Sequence, residues 1–444
     1  MTSSEASYAR LGSLVLERDV SRKNALTILF AGFWTIGFVT FLNFMNPYVF
    51  ALLGIPEGEQ GSLAGLLVSL QEITQIAICG LIGAWSDRVG RRPIYVGAVV
   101  LLAAGFVAYP LASSEAQLIG LRIAYAIGAT ACTVMMSTCQ GEYITDKCRG
   151  RWIGVVAIVN ALGVVVMIAV FSKLPVFFGQ LGLSDVNALR ASFWVCAIAA
   201  LLLAIVLHFG LQAPGPGATS STPNLFSQTA KGLTLVKQHP LLGLSYLTAF
   251  ASKGDLVIVT TFLSLWVTQA GIAAGMSPVE AVARAGMVFG LVAGCGLFWP
   301  FVIGTLLDRV PRLAGIAISF AVASVGYVSV GLIDDPLGPM MWVAAVLVGI
   351  GQASAIVSAG VLIGQVAPEG YKGTVFGTYG VAGSAGIVTL TFVGGLMFDA
   401  YGASSPFLLM GGVNALVVVA IWLLLRWQRA NEPPALKRSS ATTP

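Results

Sequence analysis

Long apolar runs separated by short polar segments follow one another along the whole chain. Each run is compatible with the roughly 20 residues that an α-helix needs to cross the hydrocarbon core of a bilayer. The pattern therefore predicts an all-α membrane protein with twelve spans, which we number 1 to 12 in chain order. They are placed at residues 25–50, 62–85, 94–111, 116–140, 152–174, 191–211, 241–267, 281–306, 313–332, 339–365, 374–398 and 404–427.

A longer polar segment between spans 6 and 7 divides the spans into two groups of six. Its first part, 213–223, is rich in Pro, Gly, Ser and Thr, which is typical of a flexible linker. Its second part, 225–238, is more amphipathic and predicts a short helix on the membrane surface. The predicted divisions are an N-terminal tail 1–24, a six-helix bundle 25–211, a linker 212–240, a second six-helix bundle 241–428 and a C-terminal tail 429–444.

The composition agrees with this prediction and excludes a soluble globular protein. Hydrophobic residues make up 57% of the chain and charged residues only 10%, whereas a soluble domain carries about 25% charged residues. Most of the 24 Lys and Arg residues fall on one side if both termini are cytoplasmic. That asymmetry predicts this orientation in the cell (inner) membrane. Since the placement of these cations accounts for the net charge of +5, we expect no nucleic-acid partner.

The most informative polar segment joins spans 2 and 3. An ordinary cytoplasmic loop would explain its arginines, but not its glycines and aspartate at fixed spacing. The segment reads Gly83-Ala84-Trp85-Ser86-Asp87-Arg88-Val89-Gly90-Arg91-Arg92.

Two features of the first half return in the second half. A weaker copy of the loop follows span 8, where Asp308 lies 221 positions after Asp87. Arg149-Gly150, which opens span 5, is matched by Lys372-Gly373 at the start of span 11, with Gly373 lying 223 positions after Gly150. Two pairs at nearly the same offset predict a duplicated chain with two parallel six-helix halves.

The loop, its degraded copy and the twelve spans resemble the major facilitator superfamily. The resemblance implies two six-helix bundles, related by pseudo-two-fold symmetry around a central cavity. In that family, spans 1, 4, 7 and 10 chiefly line the cavity, which opens alternately to either side of the membrane.

The resemblance also implies a role for the loop. Asp87 would face the start of span 11 near Gly373, and the arginines would engage acids at the foot of span 4. Because these contacts form only while the inner gate is shut, the loop would act as a conformational latch. Its expected members are Gly83, Asp87, Arg88, Gly90, Arg91, Arg92, Glu142, Asp146, Asp308 and Arg309.

Arg122 lies in the outer part of span 4, within residues 118–128. This segment resembles the Leu-x-x-x-Arg-x-x-Gln-Gly-x-Gly motif associated with proton-coupled members of the family. It departs from the motif at two positions, with Tyr125 in place of the glutamine and Ala126 in place of the first glycine. We expect Arg122 to be buried and functional; the alternative is a side chain that extends to the outer interface.

Glu72 lies close to the middle of span 2, where a charged side chain costs about 2.5–3.5 kcal/mol. Such residues usually face a cavity or are neutralised, so Glu72 is a candidate proton carrier. Gln75 follows at i+3 and extends a polar stripe on one helix face. The alternative is a protonated glutamate that forms a structural hydrogen bond between helices.

Lys253 and Asp255 lie in the middle of span 7. Residues two apart point to different sides of a helix, so they are not expected to form a local ion pair. Gly254 between them predicts a loosened helix. Lys253 could pair with Glu72 or with a substrate anion across the cavity, leaving Asp255 to titrate. Asp255 is slightly favoured as the proton site, because span 7 belongs to the implied cavity lining. If span 7 starts later than predicted, both residues lie near the cytoplasm and carry no function.

Uncharged polar residues within the spans are candidate substrate contacts. Any of them could instead form an interhelical hydrogen bond. The candidates are Gln71, Gln75, Asn43, Asn160, Gln352, Ser354 and Ser358.

These residues favour a secondary active transporter over an enzyme. The sequence contains no nucleotide-binding loop, metal-ligand cluster or nucleophile elbow, so we expect no cofactor and no metal. We predict a monomer in the lipid bilayer that moves a small solute by alternating access, by proton-coupled symport of a metabolite or organic ion. Drug or metabolite efflux by proton antiport, sodium coupling and uncoupled facilitation are alternatives within transport. A transporter-like receptor or sensor is the alternative from another class.

Overall fold

The computed structural model describes residues 9–145, 148–212, 225–368 and 370–430, and the structural statements below concern those ranges. Twelve helices in them are long and apolar enough to cross a membrane, as the sequence predicts. Most extend beyond the predicted apolar cores. In chain order, spans 1 to 12 are Arg22–Leu53, Glu57–Val89, Arg91–Leu111, Glu115–Glu142, Arg149–Gln180, Asp185–Gly210, Pro240–Ala273, Pro278–Leu307, Arg312–Gly331, Met340–Val366, Lys372–Tyr401 and Ser405–Trp427.

Spans 3, 5 and 7 depart from regular α-helix. Span 3 ends in the 3₁₀ turn Tyr109–Leu111. Span 5 comprises Arg149–Ala169, the 3₁₀ turn Phe171–Lys173 and Leu174–Gln180. Span 7 comprises Pro240–Ile258, the π-helical turn Val259–Leu263 and Ser264–Ala273.

The distortion in span 7 does not lie where the sequence predicts it. The helix is regular through Gly254 and changes only at Val259, so the prediction of a loosened helix at the glycine is wrong. A Cβ atom at Gly254 would overlap the side chain of Leu390 in span 11. The glycine therefore serves close packing of two helices, which is a common use of small residues in membranes.

Successive spans run in opposite directions, and the two ends of the bundle can be named from the loop that holds Asp87. We call the end with this loop the motif end and the other the far end. The loops that follow even-numbered spans lie at the motif end, together with the start of span 1.

The cores of the two halves are packed differently. In the N-terminal half, Phe106 of span 3 contacts the rings of Phe38, Phe41, Tyr125 and Phe193, with centroids 5.4 to 6.3 Å apart. Aromatic contacts of this kind join spans 1, 3, 4 and 6.

In the C-terminal half, spans 9 and 10 approach through glycines. A Cβ atom at Gly326 would lie 2.6 Å from the carbonyl oxygen of Leu347, and one at Gly351 would lie 2.6 Å from the Cα of Ala323. The helices of both halves are thus closely packed.

A short β-hairpin precedes span 1 at the motif end. Strands β1 (Arg10–Leu11) and β2 (Leu14–Val15) pair antiparallel, and Leu16 forms an antiparallel bridge with Ile144 in the loop after span 4. Leu16 is fully buried. Part of the predicted N-terminal tail therefore folds onto the N-terminal half, which the hydrophobic pattern does not reveal.

The linker contains a helix, Leu225–Leu235, within the segment predicted to be amphipathic. A Cβ atom at Gly232 would overlap Thr378 of span 11. The hydroxyl of Tyr246 in span 7 donates a hydrogen bond to the carbonyl oxygen of Gly232 at 3.3 Å. The linker helix thus packs against the C-terminal half at the motif end.

Candidate functional site: the cavity between the two halves

A cavity of about 530 Å³ lies between the two halves, within the size range of small-molecule sites. Its walls come from spans 2 and 4 of the N-terminal half and spans 7 and 11 of the C-terminal half. The family resemblance implies a cavity lined chiefly by spans 1, 4, 7 and 10. Of these four, spans 4 and 7 contribute residues to the lining. The lining residues are Glu72, Gln75, Ile76, Cys79, Thr133, Val134, Ser137, Thr138, Lys253, Phe376, Gly377, Gly380, Val381, Ser384 and Ile387.

Glu72 and Lys253 are the two charged residues in this lining, and they come from opposite halves. The hydroxyl of Ser384 and the charges of Lys253 and Arg122 all act on the Glu72 carboxylate. Glu72 is only 8% exposed, and its Oε2 atom has no hydrogen-bond partner among the described residues. Lys253, in contrast, is exposed to the cavity. The structure therefore brings together two of the charged residues that the sequence singles out.

The position of Lys253 depends on a glycine in the neighbouring helix. A Cβ atom at Gly383 of span 11 would lie 2.7 Å from the Cγ of Lys253. The lysine stem thus lies along the glycine surface while its ammonium group reaches the cavity.

Arg122 lies inside the N-terminal half and not at the membrane interface. It is fully buried. Its Nη2 group donates a hydrogen bond to Asn43 Oδ1, and its Nε group donates one to the carbonyl oxygen of Leu67 at 3.3 Å. Its Nη1 group has no hydrogen-bond partner in the described part of the chain, and neither does the buried Gln71 Oε1. Arg122 is therefore a fixed positive charge behind the cavity wall near Glu72.

Asp255 lies away from the cavity, inside the C-terminal half. It is fully buried, and its Oδ1 accepts a hydrogen bond from Asn414 Nδ2 at 3.0 Å. Its carbonyl oxygen accepts bonds from the hydroxyl of Tyr327 at 2.8 Å and from Gln352 Nε2 at 3.1 Å. Lys253 and Asp255 thus point to different sides of span 7, and the structure does not place Asp255 with the other charged candidates.

Most uncharged candidates also lie outside the cavity. Gln75 is in the lining. Asn160 packs with Gln140 against Gly32, within the N-terminal half. Ser354 accepts a hydrogen bond from Trp299 Nε1 at 2.8 Å.

Three further candidates make hydrogen bonds within the bundles. Ser358 donates to the carbonyl oxygen of Ala355, and Asn43 and Gln352 hold Arg122 and Asp255 as described above.

The motif loop forms an ion-pair cluster within the N-terminal half. Arg91 pairs with Asp87 and, at 2.8 Å, with Glu142 at the end of span 4. Gly90 has a φ of +100°, a conformation that L side chains rarely adopt, so it allows the turn between spans 2 and 3.

The other expected latch residues make fewer contacts in this conformation. Arg88, Asp308 and Arg309 are exposed and Arg92 is half-buried, and Asp146 lies outside the described residues. A Cβ atom at Gly83 or Gly373 would meet no heavy atom within 4 Å. The start of span 11 is therefore not packed against another chain segment at Gly373.

At the far end, the two halves are closed on each other by Asp399, near the end of span 11. Its carboxylate oxygens accept hydrogen bonds from the backbone N–H groups of Gly61 and Ser62 at 2.9 and 2.6 Å. These groups belong to the second turn of span 2, so the bond joins the N-terminal part of span 2 to the C-terminal part of span 11.

Apolar and backbone contacts extend this closure. Cβ atoms at Gly65 and Gly395 would overlap backbone atoms of Thr391 and Gly61, respectively. Between spans 1 and 7, the hydroxyl of Ser264 donates to the carbonyl oxygen of Phe44 at 2.8 Å.

Asp399 is not among the residues predicted from the sequence, although a signal was present. Gly395-x-x-x-Asp399-x-x-Gly402 has the spacing of Gly83-x-x-x-Asp87-x-x-Gly90. The terminal glycines even share a backbone conformation, with φ values of +100° at Gly90 and +101° at Gly402.

The same pair of helices is separated toward the motif end. The cavity lining reaches Cys79 of span 2 and Phe376 of span 11, beyond Glu72 and Ser384 in the direction of the motif loop. A Cβ atom at Gly80 would meet no heavy atom within 4 Å. The molecule is thus closed at the far end and open at the motif end.

Two six-helix halves that enclose a cavity with opposite charges in its two walls, and that close on each other at one end, define a membrane transporter. The chain belongs to the Major Facilitator Superfamily, whose family model matches residues 28–339 and 301–443.

Individual relatives are distant but cover most of the chain. The magnetosome protein MamH of Paramagnetospirillum magneticum is 26% identical over 434 residues, covering 95% of this chain and 96% of MamH. The inner membrane transport protein YajR of Escherichia coli K12 is 27% identical over 411 residues, covering 90% and 81%. The crystal structure of a D-xylose-proton symporter superposes with a TM-score of 0.68 at 17% identity, covering 90% and 96%. The last similarity concerns the fold alone.

Proposed function

We propose that this protein is a secondary active transporter that carries a small solute together with protons. The observation that carries the proposal is the position of Glu72 and Lys253, which face the same cavity from opposite halves. A carboxylate and an ammonium group in this arrangement approach or separate when the halves rock. Their interaction therefore differs between the two open states, which is the requirement for coupling.

Glu72 is the group that would carry the proton. An ionised carboxylate at this depth is costly unless a cation or water compensates it. Lys253 supplies that cation in one state, and protonation replaces it in the other. Asp255 is less suited to this role, because it is buried among spans 9, 10 and 12 and lies outside the cavity lining.

The motif end is the cytoplasmic end in this proposal, since short loops rich in Lys and Arg are retained on the inside. The conformation with an open motif end then receives or releases solute on the cytoplasmic side. On closure of that end, Asp87 would meet the start of span 11 and the contact of Asp399 with span 2 would break.

Uptake into proteoliposomes tests the proposal. Purified protein is reconstituted, and a panel of labelled sugars, nucleosides, amino acids and carboxylic acids is offered with and without an inward proton gradient. We expect at least one solute to accumulate only with the gradient, and a protonophore to abolish the accumulation. Equal uptake without a gradient would indicate a facilitator, and accumulation driven by the reversed gradient would indicate antiport. Binding without uptake would indicate a receptor.

A further inference from the structure

We infer that the transported solute is a small organic monoanion, which binds Lys253 through its anionic group and crosses with one proton on Glu72. The inference rests on the proposed function and adds the class of solute. Lys253 is exposed in the cavity and forms no ion pair within 4.0 Å among the described residues. An ammonium group presented in this way is a binding site for an anion.

The charges in the lining favour one stoichiometry. When the cavity is empty, ionised Glu72 and Lys253 compensate each other. When Glu72 is protonated, the positive charge of Lys253 is compensated by the bound anion. The two sites together are then neutral again. With the proton alone or the anion alone, one charge stays uncompensated while the cavity closes, and the cost of removing that charge from water opposes closure. The empty and the fully loaded cavity are therefore the two states that can close and cross.

Arg122 strengthens the preference for an anion over a cation. Its charge acts on the same region as Glu72, but Asn43 and a backbone carbonyl hold it inside the N-terminal half. It adds the same positive potential in every loading state.

Hydroxyl and amide groups lie among the mainly apolar residues of the lining, and they favour a solute that also carries hydroxyl groups. Thr133 and Thr138 donate their hydroxyl protons to backbone carbonyls at 3.0 and 2.9 Å. Their oxygens can then only accept hydrogen bonds from a ligand. Ser137 and Gln75 lie on the same wall. The cavity thus fits an acid that also carries hydroxyl donors, within a volume of about 530 Å³.

The test compares solutes of different charge, three of which are of similar size. A six-carbon sugar acid, its neutral parent sugar and the corresponding amino sugar are offered with a proton gradient, together with a short monocarboxylate and a dicarboxylate. Heat stabilisation of the purified protein measures binding independently of transport. We expect only the monoanions to bind and to accumulate. Accumulation should not change when a potassium gradient with valinomycin sets the membrane potential, because one proton and one monoanion carry no net charge.

Variants of the lysine locate the anion site. Lys253→Met should abolish stabilisation by the sugar acid, whereas Lys253→Arg should retain it. Lys237→Met, which removes an exposed lysine from the linker, is the matched control and should bind as the natural protein does. Binding that survives Lys253→Met overturns the assignment of the site.

The remaining outcomes separate this inference from the proposed function. Proton-driven accumulation of the neutral or amino sugar overturns the solute class and leaves proton coupling standing. Failure of every monoanion to stabilise the protein also overturns the solute class. Anion binding without proton-driven uptake overturns the proposed coupling, and a dependence of uptake on membrane potential overturns the stoichiometry.

Discussion

Replacing Asp399 with asparagine should weaken the far-end closure and shift the protein away from the conformation seen here. The carboxylate accepts two backbone N–H groups of span 2, from Gly61 and Ser62. Hydrogen bonds to a charged acceptor contribute about 1.5–3 kcal/mol each. An asparagine keeps one acceptor oxygen and turns an NH₂ group toward the other N–H, so at least one bond is lost.

The expected shift follows from that loss. A change of about 1.5–3 kcal/mol corresponds to roughly 10- to 150-fold in the equilibrium between the closed and open far end. We expect the low end of that range, since the contact is only partly buried. Protein folding should be little affected, because the substitution preserves side-chain volume and each half keeps its own core.

The equilibrium can be read from a distance across the far end. Spin labels at Glu59→Cys in span 2 and Tyr401→Cys in span 11, both exposed positions, report this distance by double electron–electron resonance in a background without native cysteines. In Asp399→Asn, the longer-distance population should grow. Asp334→Asn, an exposed carboxylate in another far-end loop, is the control and should change nothing. An unchanged distance distribution in Asp399→Asn would refute the reasoning.

Three further predictions follow from the contacts described above. Gly383→Ala should displace Lys253 and reduce anion binding at least tenfold. Gly364→Ala in span 10, outside the cavity lining and at a position where a Cβ meets open space, should not; equal affinities would contradict the packing argument. Asp87→Asn should leave the protein folded but slow transport tenfold or more. The substitution removes a contact of about 1.5–3 kcal/mol from the state with a closed motif end. Uptake at the natural rate would contradict the role of the loop as a latch. Leu16→Ala should cost about 2–5 kcal/mol and lower the unfolding temperature in detergent, because this side chain is fully buried; an unchanged unfolding temperature would show that the hairpin is dispensable for stability.

The sequence predicts the architecture well because hydropathy acts over whole helices. Twelve apolar runs define twelve spans regardless of errors at their ends. A charge within an apolar run is also informative on its own, since it must face a cavity or a partner. Glu72 and Lys253 were singled out on that basis, and both lie in the cavity wall.

The rotation of each helix is much harder to predict. Successive residues turn by about 100° around the helix axis, so Lys253 and Asp255 face different environments although both lie in the middle of span 7. Only tertiary packing places Asp255 against Tyr327 and Asn414. The prediction that Asp255 faces the cavity relied on the general role of span 7. That role does not distinguish the side of the helix that carries Asp255 from the side that carries Lys253.

Short features were missed for a different reason. The strands of the N-terminal hairpin contain two residues each, too few to show an alternating pattern. Asp399 is a single carboxylate near the end of a span, where a charged residue does not stand out in the hydropathy pattern. Its glycine spacing was the available signal, and it becomes meaningful only once the far-end contact is known.

The central claim is that Glu72 carries the coupled proton, and Glu72→Gln tests it most directly. Proton-driven accumulation and exchange between equal solute pools are measured in the same proteoliposomes, with Asp255→Asn as the matched carboxylate-to-amide control outside the cavity. We predict that Glu72→Gln abolishes accumulation and spares exchange, because a neutral side chain permits rocking with solute bound but cannot release a proton. Asp255→Asn should retain both activities. Accumulation against a gradient by Glu72→Gln would contradict the account, and loss of exchange together with accumulation would assign Glu72 to solute binding or folding instead.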